Sequence, residues 1–186
     1  MTESEAAVST APRNPSPEAT TAAEATTAPM APVPPDPSQG SPGYPVTAAP
    51  TRRIGPLTRT DFVRYAGAGG DFNPIHHDET FARAAGYPSV FGHGLLTAGV
   101  LGGYAAAWLG RRNLRRLTVR YVDQVWPGDT LVLTGEVLRS GGTPDGATEV
   151  EVTLTVHSEA AGRGPRLVLS GGATATYPAG RQRRET

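Results

Sequence analysis

Cysteine is absent from this 186-residue chain, and so is lysine: all 17 basic residues are arginine. Without a thiol there is no disulfide, no thiolate metal site and no cysteine nucleophile. No stretch reaches the roughly 18 consecutive apolar residues of a membrane-spanning helix. Residues 94–109 come nearest, but the run is shorter and rich in glycine and alanine. Charge of one sign is also missing, since 17 acidic residues balance the arginines and remove the basic excess of a nucleic-acid binder. The opening Met1-Thr2-Glu3-Ser4-Glu5 is acidic and lacks the apolar run of a secretory signal. Arg13 is the only basic residue among the first fifty, which argues against an arginine-rich transit peptide. The expectation is a cytoplasmic domain.

Proline is abundant and unevenly placed. Eleven of the 18 prolines fall in the first fifty residues, among alanine, threonine and serine, with Tyr44 the only aromatic side chain there. Such a segment cannot bury enough apolar surface to offset its ordering entropy, so residues 1–45 are expected to be a disordered leader. One core of ordinary size fits in residues 46–178, and the basic end, 179–186, is expected to fray.

Within the domain, 46–56 is weakly patterned and suits a first edge strand. Thr58 or Thr60 can cap a helix over 61–67, with Phe62, Tyr65 and Ala66 on one face. Asp78 can cap a second helix over 79–85, closed by Gly86. From Gly94 to Leu109 nearly every residue is apolar or small, the pattern of a helix inside a fold. After Asn113 the period changes from helical to two. Val150, Val152, Leu154 and Val156 alternate with Glu149, Glu151, Thr153 and Thr155, and turns are expected at Pro127-Gly128-Asp129 and Thr143-Pro144-Asp145-Gly146. Four long antiparallel strands following one buried helix define an α+β fold, a curved sheet wrapped around that helix.

Two stretches carry chemistry. Gly69-Gly70-Asp71-Phe72-Asn73-Pro74-Ile75-His76 sets a carboxylate and an imidazole five residues apart on glycine- and proline-shaped backbone. Residues 71–76 therefore read as a fixed turn rather than regular structure, able to aim Asp71 and His76 at one water. Phe91-Gly92-His93-Gly94 supplies amides at the start of the long helix, where unpaired N–H groups and the helix dipole suit a developing oxyanion. Asn73 is expected to orient the turn or the Asp71 carboxylate, and His93 to orient the turn before Gly94. His77 is expected to be a surface neighbour. No metal is expected from His76, His77, Asp78 and His93, because none of the usual zinc spacings is present. Arg111, Arg112, Arg115 and Arg116 crowd the exit of the helix, together with Arg120. They are candidates for contacts to phosphate groups or to an acidic protein surface.

The run from Tyr65 through Gly70-Asp71-Phe72-Asn73-Pro74-Ile75-His76, with Ala82 beyond it and His93-Gly94 at the helix head, resembles the MaoC-like, (R)-specific enoyl-thioester hydratase family of hot-dog proteins. The resemblance covers roughly 55–178. Through Gly99–Gly110 the chain is most similar to single-hot-dog catalytic subunits of (3R)-hydroxyacyl-carrier-protein dehydratases, which lack so long a proline-rich leader.

The resemblance implies a hot-dog fold paired into a homodimer or heterodimer. It also implies reversible syn hydration of a trans-2-enoyl thioester to the (3R)-3-hydroxyacyl thioester. No cofactor is implied beyond the coenzyme A or phosphopantetheine that carries the acyl group. Asp71 and His76 would move the protons and the Gly94 amide would hold the thioester oxygen. Two rivals stand beside this reading: a hot-dog thioesterase, and a non-catalytic partner subunit.

Overall fold

The structure is a computed structural model that describes residues 48–179. The expected leader, 1–45, lies outside the described residues, as does the expected tail apart from Ala179.

Nine elements follow one another: β1 (Arg52–Ile54), α1 (Arg59–Gly69), a 3₁₀ turn (Pro74–His76), α2 (Glu79–Ala84), α3 (Gly94–Leu109), β2 (Leu114–Tyr121), β3 (Thr130–Gly142), β4 (Thr148–Ala160) and β5 (Arg163–Tyr177). The strands form one antiparallel sheet in the order β1-β3-β4-β5-β2. Strand β2 thus leaves the end of α3 and runs to the edge beyond β5, opposite β1. This is the hot-dog arrangement.

The period-two pattern places the core. On β4, Val150, Val152, Leu154 and Val156 are buried, and Glu149, Glu151, Thr153 and Thr155 are not. Those four pack with Leu131 and Leu133 of β3, Leu169, Ala173 and Ala175 of β5, and Leu101, Tyr104, Ala105 and Leu109 of α3. The C-terminal carbonyl of α3 is satisfied by two side chains, since Tyr177 Oη and Asn113 Nδ2 both donate to Leu109 O, at 2.9 and 3.1 Å. Only one side of α3 is enclosed. Gly94, Leu95, Gly99 and Gly103 are exposed, so the helix expected to be buried all round lies on the sheet with a bare face.

Local chemistry sets the helices that carry the site. Thr58 caps α1 and forms a reciprocal box with Asp61, and Gly70 ends the helix in a left-handed conformation at φ 70°. Asp78 caps α2 through bonds from Thr80 N–H and Phe81 N–H. Glu79 gathers this end of the molecule. Its carboxylate takes Arg59 at 2.6 Å, Arg83 at 3.0 Å and Ser89 Oγ at 3.1 Å, and Arg59 beside it holds its pKa down at about 2. The segment 122–128 is pinned by buried Asp129, which accepts from Trp126 N–H, Arg163 and Arg166. Gly92 N–H donates to Val125 O at 2.8 Å and ties that segment to the approach of α3.

Strand β2 lies so close to β5 that a Cβ on Gly171 would fall 2.4 Å from the Thr118 carbonyl oxygen. Gly171→Ala is therefore expected to cost about 1–3 kcal/mol in urea unfolding. Gly164→Ala, whose Cβ would meet nothing within 4 Å, should stay within about 0.5 kcal/mol of wild type. Equal effects at both positions would contradict this account of the β2–β5 contact.

Candidate active site

Two loops meet at the head of α3. One carries Asp71 and His76 and the other Phe91 and His93. The first is tighter than a plain turn. Pro74 opens a one-turn 3₁₀ helix that Asn73 caps by accepting from Ile75 N–H at 3.1 Å. Proline is tolerated in a first turn because its missing N–H would have no partner there, which is why a break expected from the sequence became a short helix. Asn73 N–H donates to Asp71 Oδ1 at 3.2 Å, so the backbone of Asn73, not its carboxamide, orients the carboxylate.

The loops hold each other through a reciprocal pair of bonds. His76 Nδ1 lies 2.7 Å from Phe91 O, and His93 Nε2 lies 3.0 Å from Asp71 O. A carbonyl only accepts, so each of these nitrogens carries the proton. The two imidazoles stack with centroids 3.7 Å apart and planes at 29°. Phe91 meets His76 edge-on and Tyr65 covers the other ring, at 5.2 and 5.0 Å. His76 Nε2 is left as a lone pair, while His93 Nδ1 is buried with no partner among the described residues. His93 makes no side-chain cap of its own helix. What it orients is the Asp71 main chain, with Nε2 3.8 Å from Asp71 Oδ2.

One atom each from Asp71, His76 and His93 lies within 4.8 Å of the others. A water bonded to two such groups at ordinary lengths spans about 4.5 Å, so the cluster is sized for one. A cation could use the same atoms, although one nitrogen of each ring is already committed to a carbonyl. Desolvation lowers the His76 pKa below its ordinary value against the opposing Phe91 bond, with His93 adding to the decrease and Asp71 opposing it. The imidazole therefore favours the neutral base.

Beside the cluster stands Gly94, first residue of α3, whose N–H has no carbonyl one turn back. A Cβ here would meet Tyr121 Cε1 at 3.0 Å, so glycine lets that ring lie over the helix start. Asp71, His76, His93, Gly94, Tyr65, Gly69, Leu95 and Tyr121 together line a cavity of about 320 Å³. Tyr121 and Leu95 were not singled out as site residues. Tyr121 reads as an ordinary strand residue and Leu95 as core, and only the return of β2 past α3 shows otherwise. The Phe91 carbonyl has no sequence signal at all.

The other candidates sit elsewhere. His77 is exposed, its Nε2 3.2 Å from Phe72 O. Arg111, Arg112, Arg115 and Arg116 are exposed at the C-terminal end of α3 and the start of β2. Sixteen helical residues, about 24 Å, separate that end from Gly94. The four arginines, expected to meet the phosphates of coenzyme A or an acidic carrier protein, thus lie apart from the acid–base cluster. The exposed glycines of α3 open onto the helix's bare face, and a Cβ on Gly99 or Gly103 would meet nothing within 4 Å among the described residues.

A five-stranded antiparallel sheet packed on one long helix, with a carboxylate–imidazole cluster at the start of that helix, defines the hot-dog class of fold. The comparisons narrow it. The family model described as MaoC like domain matches residues 37–161, two thirds of the chain, and the chain belongs to that family. Over 86 residues it is 40% identical to 3-hydroxyacyl-thioester dehydratase Y of Mycobacterium tuberculosis, covering 44% of this chain and 30% of that one. Over 62 residues it is 42% identical to the peroxisomal hydratase-dehydrogenase-epimerase of Saccharomyces cerevisiae, covering 33% of this chain and 7% of that one. The chain thus spans under a third of the length of either relative.

Among solved structures, the (R)-hydratase from A. caviae involved in PHA biosynthesis superimposes with a TM-score of 0.57 at 19% identity, over 70% of this chain and 96% of that one. The ChsH1–ChsH2 complex from Mycobacterium tuberculosis gives 0.56 at 22% identity, over 70% and 94%. At these identities the two establish the fold. Among the described residues no helix is long and apolar enough to cross a membrane.

The lowered pKa of His76 has a sign that can be measured. The unfolded chain takes up the extra proton first, so stability linked to His76 is lost as pH falls from about 6.5 through the folded pKa and is constant above that window. Histidine NMR titration should place the His76 midpoint lower in the folded chain than in the urea-unfolded one. A midpoint equal or higher in the folded chain would contradict the assignment.

Proposed function

We propose that this chain is a hydro-lyase that interconverts trans-2-enoyl and (3R)-3-hydroxyacyl thioesters of coenzyme A or an acyl carrier protein. The observation that carries the reading is the placement of Asp71 and His76 within 4.8 Å of each other beside the Gly94 amide, which has no hydrogen-bond partner among the described residues. In hydration, the lone pair of His76 Nε2 accepts a proton from the bound water as its oxygen bonds to C3. Charge moves through C2 to the thioester oxygen, where the Gly94 N–H and the helix dipole stabilise it. The Asp71–His76 pair then delivers a proton to C2 on the same face, so one water is added and the imidazole returns to neutral. Dehydration is the reverse. Asp71 orients the water and offsets the imidazolium charge. The similarity to named dehydratases and hydratases supports the same chemistry.

The domain is also proposed to work as a pair with a second copy or another hot-dog subunit. The support is local: β2 is an open sheet edge, and α3 beside it exposes Leu95, Gly99 and Gly103. A two-subunit complex is the form of one fold neighbour, ChsH1–ChsH2.

Incubation with crotonyl-CoA tests the reaction directly. Loss of enoyl absorbance without free thiol is expected, whereas release of thiol would favour the thioesterase reading. Activity appearing only after a second hot-dog protein is added would show catalysis to be conditional on pairing, and activity of that pair surviving Asp71→Asn would favour the partner-subunit reading. Asp71→Asn and His76→Gln should each lower kcat by about 10²–10⁴-fold with the fold intact by circular dichroism. The double variant should be scarcely worse, because the pair acts as one unit. Near-wild-type turnover by Asp71→Asn would defeat the assignment. Dialysis against EDTA is expected to leave turnover in place, and loss restored by a divalent cation would reassign the Asp71–His76–His93 cluster as a metal centre.

A further inference from the structure

Two cavities meet at the head of α3. The first, about 320 Å³, holds Asp71, His76 and His93. The second, about 310 Å³, lies between α3 and the segment 121–125, with Thr97, Gln124 and Val168 in its wall. Gly94 and Tyr121 border both cavities, but the acid–base pair borders only the first. That asymmetry constrains how a linear thioester can lie. With its carbonyl oxygen on Gly94 N–H and C2–C3 beside His76, the sulfur lies on the far side of the carbonyl carbon. It then points away from the pair and past Tyr121.

The chemistry of the second cavity agrees with that direction. Thr97 lies three residues into α3 from Gly94, on the same side of the helix. It is only 4% exposed, and its hydroxyl has no hydrogen-bond partner among the described residues. Gln124, half-buried on the opposite wall, has a carboxamide that is equally unpartnered there. Asp123 is already occupied by Gln124 N–H at 2.8 Å and by Arg166. A hydrocarbon tail in this cavity would strip water from the hydroxyl and the carboxamide and replace none of it. An arm that carries amide groups would pair with both.

We propose that the cavity beyond Tyr121 is the subsite for the amide-bearing pantetheine arm of the substrate, gripped by Thr97 and Gln124, with the acyl tail on the Asp71 side of the same ring. This rests on the thioester reading above. It assigns the specificity for the carrier arm to two side chains outside the acid–base cluster.

Calorimetric titration with butanoyl-pantetheine, which is saturated and cannot react, tests the subsite without turnover. Thr97→Val and Gln124→Leu should each weaken its binding about tenfold. Binding of S-ethyl thiobutanoate, which has no amide, should change by less than about twofold. Thr97→Ser keeps the hydroxyl and should bind the pantetheine thioester as wild type does, which controls for damage to the fold. Butanoyl-CoA and a butanoyl-loaded carrier protein should both weaken in the two variants, and whichever binds wild type more tightly identifies the source of the arm.

Unchanged binding in both variants would overturn the proposal. So would equal weakening of the arm-bearing and arm-free thioesters, or a changed preference between but-2-enoyl and oct-2-enoyl chains in place of the arm effect. A wild type that binds with this arm dependence but turns nothing over would sink the hydratase reading and leave the subsite standing. An active enzyme indifferent to the arm would do the reverse.

Discussion

Everything at the head of α3 depends on a mutual clasp. Each of two loops lends a histidine whose ring N–H bonds to a main-chain carbonyl of the other loop, His76 to Phe91 and His93 to Asp71. The rings then stack face to face. A single bond of this kind would leave its loop free to pivot, but two running in opposite directions fix both separation and twist. They also fix the tautomers, since a proton spent on a carbonyl leaves the second nitrogen of His76 as a base. Geometry and protonation are thus set by the same two contacts, which lets a half-exposed carboxylate and a half-buried imidazole act on one small molecule.

The sheet supports that clasp from a distance. Asp129, held by two arginines and the Trp126 amide, fixes the segment that runs back to Gly92 through the Val125 carbonyl. Glu79 does the same from the other side, joining α1 and α2 to the stretch that includes Ser89. Each is a charged group bound on several sides, and each positions backbone rather than substrate. The Asp71–His76–His93 cluster sits between the two supports.

Much of the fold was legible in the sequence, for reasons that differ by element. Helix α3 could be read to its end residues because its apolar run is long and begins at a glycine after His93. Strand β4 was clear because burial on one face imposes strict alternation. Asp71 and His76 stood out because proline and glycine fix the short span between them. Contacts made by backbone atoms or by the return of a distant strand were not legible. The Phe91 carbonyl has no side-chain signature, and Tyr121 lies 27 residues after Gly94 on a strand whose pattern resembles any other. The arginines after α3 were legible as a cluster, but their distance from Gly94 is a matter of helix length and direction, which composition does not convey. The bare face of α3 was hidden for a related reason, since glycine and alanine read as buried while they also serve where nothing covers them.

Tyr121 is the last residue of the open edge strand, and its ring also rests on Gly94, the glycine that begins α3. One side chain therefore belongs to two territories, the rim where another strand could join and the point where an enolate would gather charge. A strand docked at that rim would bear on the helix start through the same ring, which a Cβ at Gly94 would already meet at 3.0 Å. On the proposed reading, assembly and reactivity would therefore share a single contact.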